Sequence, residues 1–111
     1  MFDRVADSVE RYMSLLSERQ KLVASNLANI DTPGYKTRDI DFHLEFLSQI
    51  EGSKPTTIEP DLPSRNDGNN VSLDRETRLL AETGIRFQMA SLMARNQLKQ
   101  MRQAIQEGRP G

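Results

Sequence analysis

Residues 73–105, LDRETRLLAETGIRFQMASLMARNQLKQMRQAI, decide the fold. Within them Leu73, Thr77, Leu80, Gly84, Phe87, Ser91, Ala94, Leu98, Met101 and Ile105 follow one another at alternating steps of four and three. That spacing lays side chains along one heptad-like stripe of a helix. Ser72 stands before the run as an N-cap, and Asp74 and Glu76 lie in the first turn, where the helix dipole favours acids. Lys99 and Arg102 lie toward the other end, which Gly108 and Pro110 close. The pattern predicts one helix over 72–107, about 50 Å long.

Working outward, the first thirty residues place Phe2, Val5, Val9, Tyr12, Leu16, Val23 and Ile30 at similar steps, with Arg19 and Asn26 on the two remaining beats. A helix over 1–31 follows, of nearly the same length. It stops at Asp31-Thr32-Pro33-Gly34-Tyr35, because proline drives the residue before it out of the helical region and Pro33-Gly34 suits the centre of a type II turn. Residues 32–71 hold Pro55, Pro60, Pro63, Gly52 and Gly68 and read mostly as loop. Ile40 to Leu47 alternates like a strand, yet Phe42, Phe46, Leu47 and Ile50 also form a one-sided stripe, which favours a short helix over 42–51. The fold class is therefore all-α: one domain over 1–111, in which two long antiparallel helices form a coiled-coil-like hairpin joined by an irregular connection with a short helix.

The chain of 111 residues carries 15 Lys plus Arg against 16 Asp plus Glu, and only 36% of it is apolar, so a hairpin folded alone buries little. Val9, Leu16 and Val23 on the first helix, with Leu80, Gly84, Phe87, Ala94, Leu98, Met101 and Ile105 on the second, are the expected assembly seam. The two stripes are expected to face each other, and the small Gly84, Ser91 and Ala94 allow close approach. Met13, Leu15, Leu22 and Leu27, with Leu79, Ile85, Met89, Leu92 and Met93, then form a second face that needs other chains to cover it. Gln88, Gln97, Gln100, Gln103 and Gln106 can donate and accept across copies without a charge cost.

Chemistry finds little support. His43 is the single histidine, and with no cysteine in the chain there is no metal-ligand cluster. Asp39 and Asp41, beside Lys36 and Arg38, read as solvated or turn-forming carboxylates. The six glycines fit no phosphate-binding loop. Asp67-Gly68-Asn69-Asn70 departs from a calcium loop at Val71 and reads as a turn. A net charge of -1 without aromatic platforms argues against nucleic acid. No catalytic residue, cofactor, metal or small-molecule substrate is expected. No run of residues reaches a membrane span, and charges within the first eleven residues interrupt any secretory signal core, so any passage out of the cytoplasm would proceed without one.

The stretch Ser17 to Lys36, with its core Asn26-Leu27-Ala28-Asn29-Ile30-Asp31-Thr32-Pro33-Gly34-Tyr35, resembles the N-terminal signature of the bacterial flagellar rod and hook proteins. With Thr37 to Phe42, Asp67 to Glu76, Ile85 to Gln88 and the terminal helix, the likeness spans nearly the whole chain and is strongest to the proximal rod. The resemblance implies a structural, non-enzymatic subunit of the basal body, made in the cytoplasm, exported unfolded by the flagellar type III apparatus and stacked helically in the periplasmic space to transmit torque and leave an export channel. Implied partners are further copies, other rod proteins, the ring-rod junction protein, the MS ring and the export gate. It further implies that Asn26, Asn29, Asp31, Thr32, Pro33, Gly34 and Tyr35 form the signature turn. Phe42 and Phe46 match the spacing of a gate-recognition motif, and Phe2 and Val5 an apolar N-terminal patch for export. A cytoplasmic coiled-coil adaptor or export chaperone is the alternative.

Overall fold

A computed structural model describes residues 2–48 and 55–108. The expectations placed on residues 49–51, on Pro110 and on the Phe2 side chain lie outside it. Helix α1 runs Phe2–Ala28 and α3 runs Leu73–Glu107, joined by strand β1 (Asp39–Ile40), helix α2 (Phe42–Ser48) and strand β2 (Thr57–Ile58). The all-α hairpin is the observed architecture, and both long helices end within three residues of the predicted limits. Ser72 caps α3, its hydroxyl accepting from the Arg75 N–H at 3.2 Å, with Asp74 and Glu76 in the first turn. Tyr35 N–H bonds the Thr32 carbonyl at 3.2 Å across Pro33 and Gly34, and Gly34 has φ +76°, which is a type II turn.

The sequence reading missed the ribbon. Asp39 pairs with Ile58 and Ile40 with Thr57, antiparallel. Two residues per strand are too few to create a readable alternation. The ribbon carries the connection back across α1, where Ile40 is buried.

The larger correction concerns the rotation of α3 about its own axis. Its buried residues are Glu76, Thr83, Ala90 and Gln97, spaced strictly by seven, and they form the line that faces Val9, Leu16 and Val23 of α1. The apolar stripe lies to one side: Gly84, Phe87, Ser91, Ala94 and Met101 are half-buried at its edge, while Leu73, Leu80, Leu98 and Ile105 are 58%, 39%, 50% and 60% exposed. The expectation that this stripe faces α1 is therefore wrong. Arg75 and Glu76 are tied into polar contacts at the start of α3, which fixes its rotation, and the small Thr83 and Ala90 let the helices approach along that line.

The shape follows. The radius of gyration is 18.5 Å, against about 13 Å for a compact domain of this length. The accessible surface is 8096 Å², against about 6,200 Å² for a compact monomer of 12.6 kDa. The excess reflects an elongated hairpin, with extents of 73 × 25 × 16 Å.

Candidate assembly site

Two kinds of surface stand out: a buried polar latch where the hairpin turns, and open apolar flanks along its length. The latch begins at Asn26, which is fully buried in the last turn of α1. Its Nδ2 donates to the Arg38 carbonyl at 2.8 Å, and its Oδ1 accepts from the Arg38 N–H and the Tyr35 hydroxyl, both at 3.0 Å. One amide thereby mimics a strand partner for a residue twelve positions away. Asn29 donates to the Ser25 carbonyl at 2.8 Å and accepts from the Thr32 hydroxyl at 3.0 Å, which secures the last turn of α1 where carbonyls lack helical partners.

The second half of the latch comes from residues 65–71. Asn69, fully buried, donates to the carbonyls of Asn29 and Thr32 at 2.9 and 2.8 Å and accepts from the Val71 N–H at 2.8 Å. Asn70 accepts from the Thr37 N–H at 2.6 Å, and its own N–H bonds the Tyr35 carbonyl at 3.2 Å. Gly34 N–H bonds the Asp67 carbonyl at 2.8 Å, and Arg65 reaches the Ile30 carbonyl. The signature turn and the Asn-rich turn are thus one structure. Asp31, Thr32 and Pro33 stay exposed on its outside.

Gly68, with φ +84°, sits where a Cβ would lie 3.4 Å from the Gly34 Cα. Gly68→Ala is expected to lower stability by about 1–2 kcal/mol through the left-handed backbone it must keep. A urea denaturation midpoint measures that loss.

Below the latch, four ionic side chains meet. The Asp39 carboxylate, 5% exposed, accepts from Arg19 Nε and Nη2 at 3.1 and 3.0 Å and from Arg75 Nη2 at 2.7 Å. Arg75 Nη1 donates to Glu76 Oε1 at 2.9 Å, and Glu76 is fully buried. Two cations and two anions balance while tying α1, β1 and α3 together. This corrects the reading of Asp39 as a solvated carboxylate beside Lys36 and Arg38. Asp41 is the turn-forming one, accepting from the Leu44 N–H at 3.2 Å at the start of α2. His43 is exposed.

Helix α2 lies against α1. Tyr12 meets the rings of Phe42 and Phe46 edge-on at 5.4 and 5.8 Å, the Arg19 guanidinium sits 5.9 Å from the centre of Phe42, and Arg11 bonds the Glu45 carbonyl at 2.8 Å. The Tyr12 hydroxyl also accepts from Arg86 at 3.2 Å, and this contact, then Glu82, raises the Arg86 pKa above its usual value. Beside Tyr12 and Phe46 opens an apolar groove of about 930 Å³ between Val5 and Val9 of α1 and Ile85, Met89 and Met93 of α3. A second groove of about 520 Å³ lies between Ala6, Met13 and Ser17 and Phe87, Leu98 and Met101. At 100° per residue these sets fall on opposite sides of the Val9–Ala90 contact line.

Of the residues singled out from sequence, Asn26, Asn29, Gly34 and Tyr35 are gathered in the latch. Val9, Leu16 and Val23 are buried inside the hairpin, Leu80, Leu98 and Ile105 face outward, and Phe42 and Phe46 pack on α1. Arg19, Asp39, Arg75, Glu76, Asn69 and Asn70 were missed as a group. Their signal was the polar residue on a core-facing beat: Arg19 and Asn26 interrupt the α1 stripe because each enters a buried network.

Comparison with known proteins agrees with this geometry. The family model for flagella basal body rod proteins matches residues 13–36, the half of α1 and the turn that build the latch. The flagellar basal body rod protein FlgB of Escherichia coli is 32% identical over 123 positions, covering 86% of this chain and 88% of that protein. FlgB of Salmonella typhimurium is 33% identical over 139 positions, covering 97% and 99%. FlgB of Borreliella burgdorferi is 30% identical over 115 positions, covering 79% and 85%. The 139 aligned positions exceed the 111 residues of this chain, so the Salmonella protein carries residues inside the aligned span that this chain lacks. All three relatives are rod proteins of the flagellar basal body. By identity at this level over nearly its full length, and by the latch its signature builds, the chain belongs to the FlgB family of flagellar basal body rod proteins.

Proposed function

We propose that this structural component of the basal body rod reaches the periplasmic space unfolded through the flagellar type III apparatus. There it stacks helically with further copies and other rod proteins, transmitting torque and leaving a channel for export. The observation that carries this reading is the exposed apolar surface of α3: Ile85, Met89, Leu92 and Met93 are each between 56% and 60% exposed, although the chain has a partner helix of its own. Contiguous apolar surface on this scale belongs to an interface. Among the described residues no helix is long and apolar enough to cross a membrane.

The latch supports the mechanical part. It holds the angle between the chain's two long rods through hydrogen bonds and ion pairs, while the flanks stay free for neighbours. Order then spreads on assembly from the latch end into the far half of α3, so helicity is expected to rise when subunits polymerise. The ring-rod junction protein and the MS ring are the proposed neighbours at the membrane side. Phe42 and Phe46 are covered by Tyr12 in the folded hairpin. An export gate that reads them would therefore read the unfolded chain.

Met89→Asp tests the reading. Met89 is 60% exposed, so the change is expected to alter the stability of the isolated chain by no more than about 0.5 kcal/mol. Swimming in soft agar, with the variant as the cell's sole copy, is expected to fall close to the level of the deletion strain. Full motility would remove the apolar flank from the assembly interface.

A further inference from the structure

Met89 and Met93 lie one turn apart on α3, are 60% and 57% exposed, and line the larger groove together with Val5, Val9, Ile85 and Phe46. Met13 and Met101 line the smaller groove and are half-buried. The larger groove therefore carries the most accessible thioethers among the described residues.

Access decides which thioether an oxidant reaches. With a peroxide, the sulfur lone pair attacks one peroxide oxygen, so that an S–O bond forms as the O–O bond breaks. The sulfur gives up two electrons and becomes a sulfoxide, and the displaced hydroxide takes up a proton and leaves as water. A flexible apolar side chain becomes a polar one. Val5, Val9, Ile85 and Phe46 offer the new oxygen no side-chain donor, and the Arg86 guanidinium on the same groove already donates to Tyr12 and Glu82. When a neighbour covers the groove and excludes water, each sulfoxide oxygen left unpaired weakens association about tenfold.

We propose that Met89 and Met93 are a modification site: peroxide oxidation of the free subunit to methionine sulfoxide bars the larger groove from docking, and incorporation into the rod shields both sulfurs. The proposal rests on the rod reading above and names the regulation of that same flank. The pair acts as one unit, because both side chains share one face of α3 and one groove.

The full chain and purified hook-basal bodies are treated with dilute hydrogen peroxide, and oxygen uptake at each methionine is read by peptide mass spectrometry. Cleavage after Arg86 and Arg95 releases Met89 and Met93 in one peptide, residues 87–95, well apart from Met13. In the free chain both are expected to oxidise several-fold faster than Met13, and in basal bodies to become several-fold slower than in the free chain. The second measurement uses cells that make the wild-type chain beside a Met89→Leu, Met93→Leu double variant, so that damage to other components affects both alike. Peroxide during flagellar growth is expected to shift the incorporated ratio several-fold toward the leucine variant, relative to the ratio without peroxide. Three results overturn the proposal: equal rates at Met13 and the pair in the free chain, no protection in basal bodies, or an incorporated ratio that peroxide does not move. Absence of the untreated wild-type chain from basal bodies is the separate failure of the rod reading.

Discussion

Asp39→Ala is expected to lower the free energy of unfolding by about 3 kcal/mol, the lower end of the cost of stripping one partner from a buried ion pair. The carboxylate accepts three charge-assisted hydrogen bonds from two arginines and a fourth bond from the Ile40 N–H at 2.8 Å. Its removal leaves two guanidinium groups facing each other in a site that also holds the buried Glu76. Side-chain exposures of 21% for Arg19 and 18% for Arg75 place the effect at the lower end, because water reaches part of each. Asp39→Asn, which keeps an acceptor oxygen and loses the charge, is expected to cost about half as much. Urea titration of the helical circular dichroism signal measures both, and an unmoved midpoint for the alanine variant would contradict a structural role for the cluster.

Asn26→Ala is expected to cost about 3 kcal/mol by a different route. The amide satisfies both backbone groups of Arg38 and the Tyr35 hydroxyl in a site without solvent, and truncation leaves these groups unpaired at about 1–3 kcal/mol each, offset where they relax toward water. Asn26→Asp separates hydrogen bonding from shape. It keeps the acceptor for the Arg38 N–H and the Tyr35 hydroxyl, but turns a carboxylate toward the Arg38 carbonyl, so it is expected to be as damaging as alanine. The same titration reads it, and an aspartate variant of wild-type stability would show that the paired bonds to Arg38 do not matter.

Much of the hairpin was legible because its signals are local. The four-three spacing, the Ser72 cap and Thr32-Pro33-Gly34-Tyr35 each act within a few residues, and α1, α3 and the type II turn fall where those signals put them. The rotation of α3 was not legible. The stripe from Leu73 to Ile105 is the longest unbroken four-three run in the sequence, and its apolar members alone would turn it toward α1. The actual rotation is set at the helix's start by Arg75 and Glu76, through a carboxylate 36 positions earlier in the chain. A stripe that faces outward in a family of rod proteins is suited to contacts between subunits.

The candidate site was half legible for the same reason. The resemblance pointed to Asn26, Asn29 and the turn that follows, but nothing local ties Asn69 to Asn29, 40 residues away, or Asp39 to Arg19, 20 residues away. Lys36 and Arg38 are the cations nearest to Asp39 in sequence, whereas its partners come from α1 and α3. Polar residues on the core-facing beats of an amphipathic helix were the available clue.

The most direct test of a structural rod role is quantitative immunoblotting of this chain in purified hook-basal bodies, beside the cytosolic fraction of the same cells. Enrichment at several copies per basal body that resists washing is the expected result. A chain found wholly in the cytosol and absent from the basal body would contradict it, and the coiled-coil adaptor reading would then take its place.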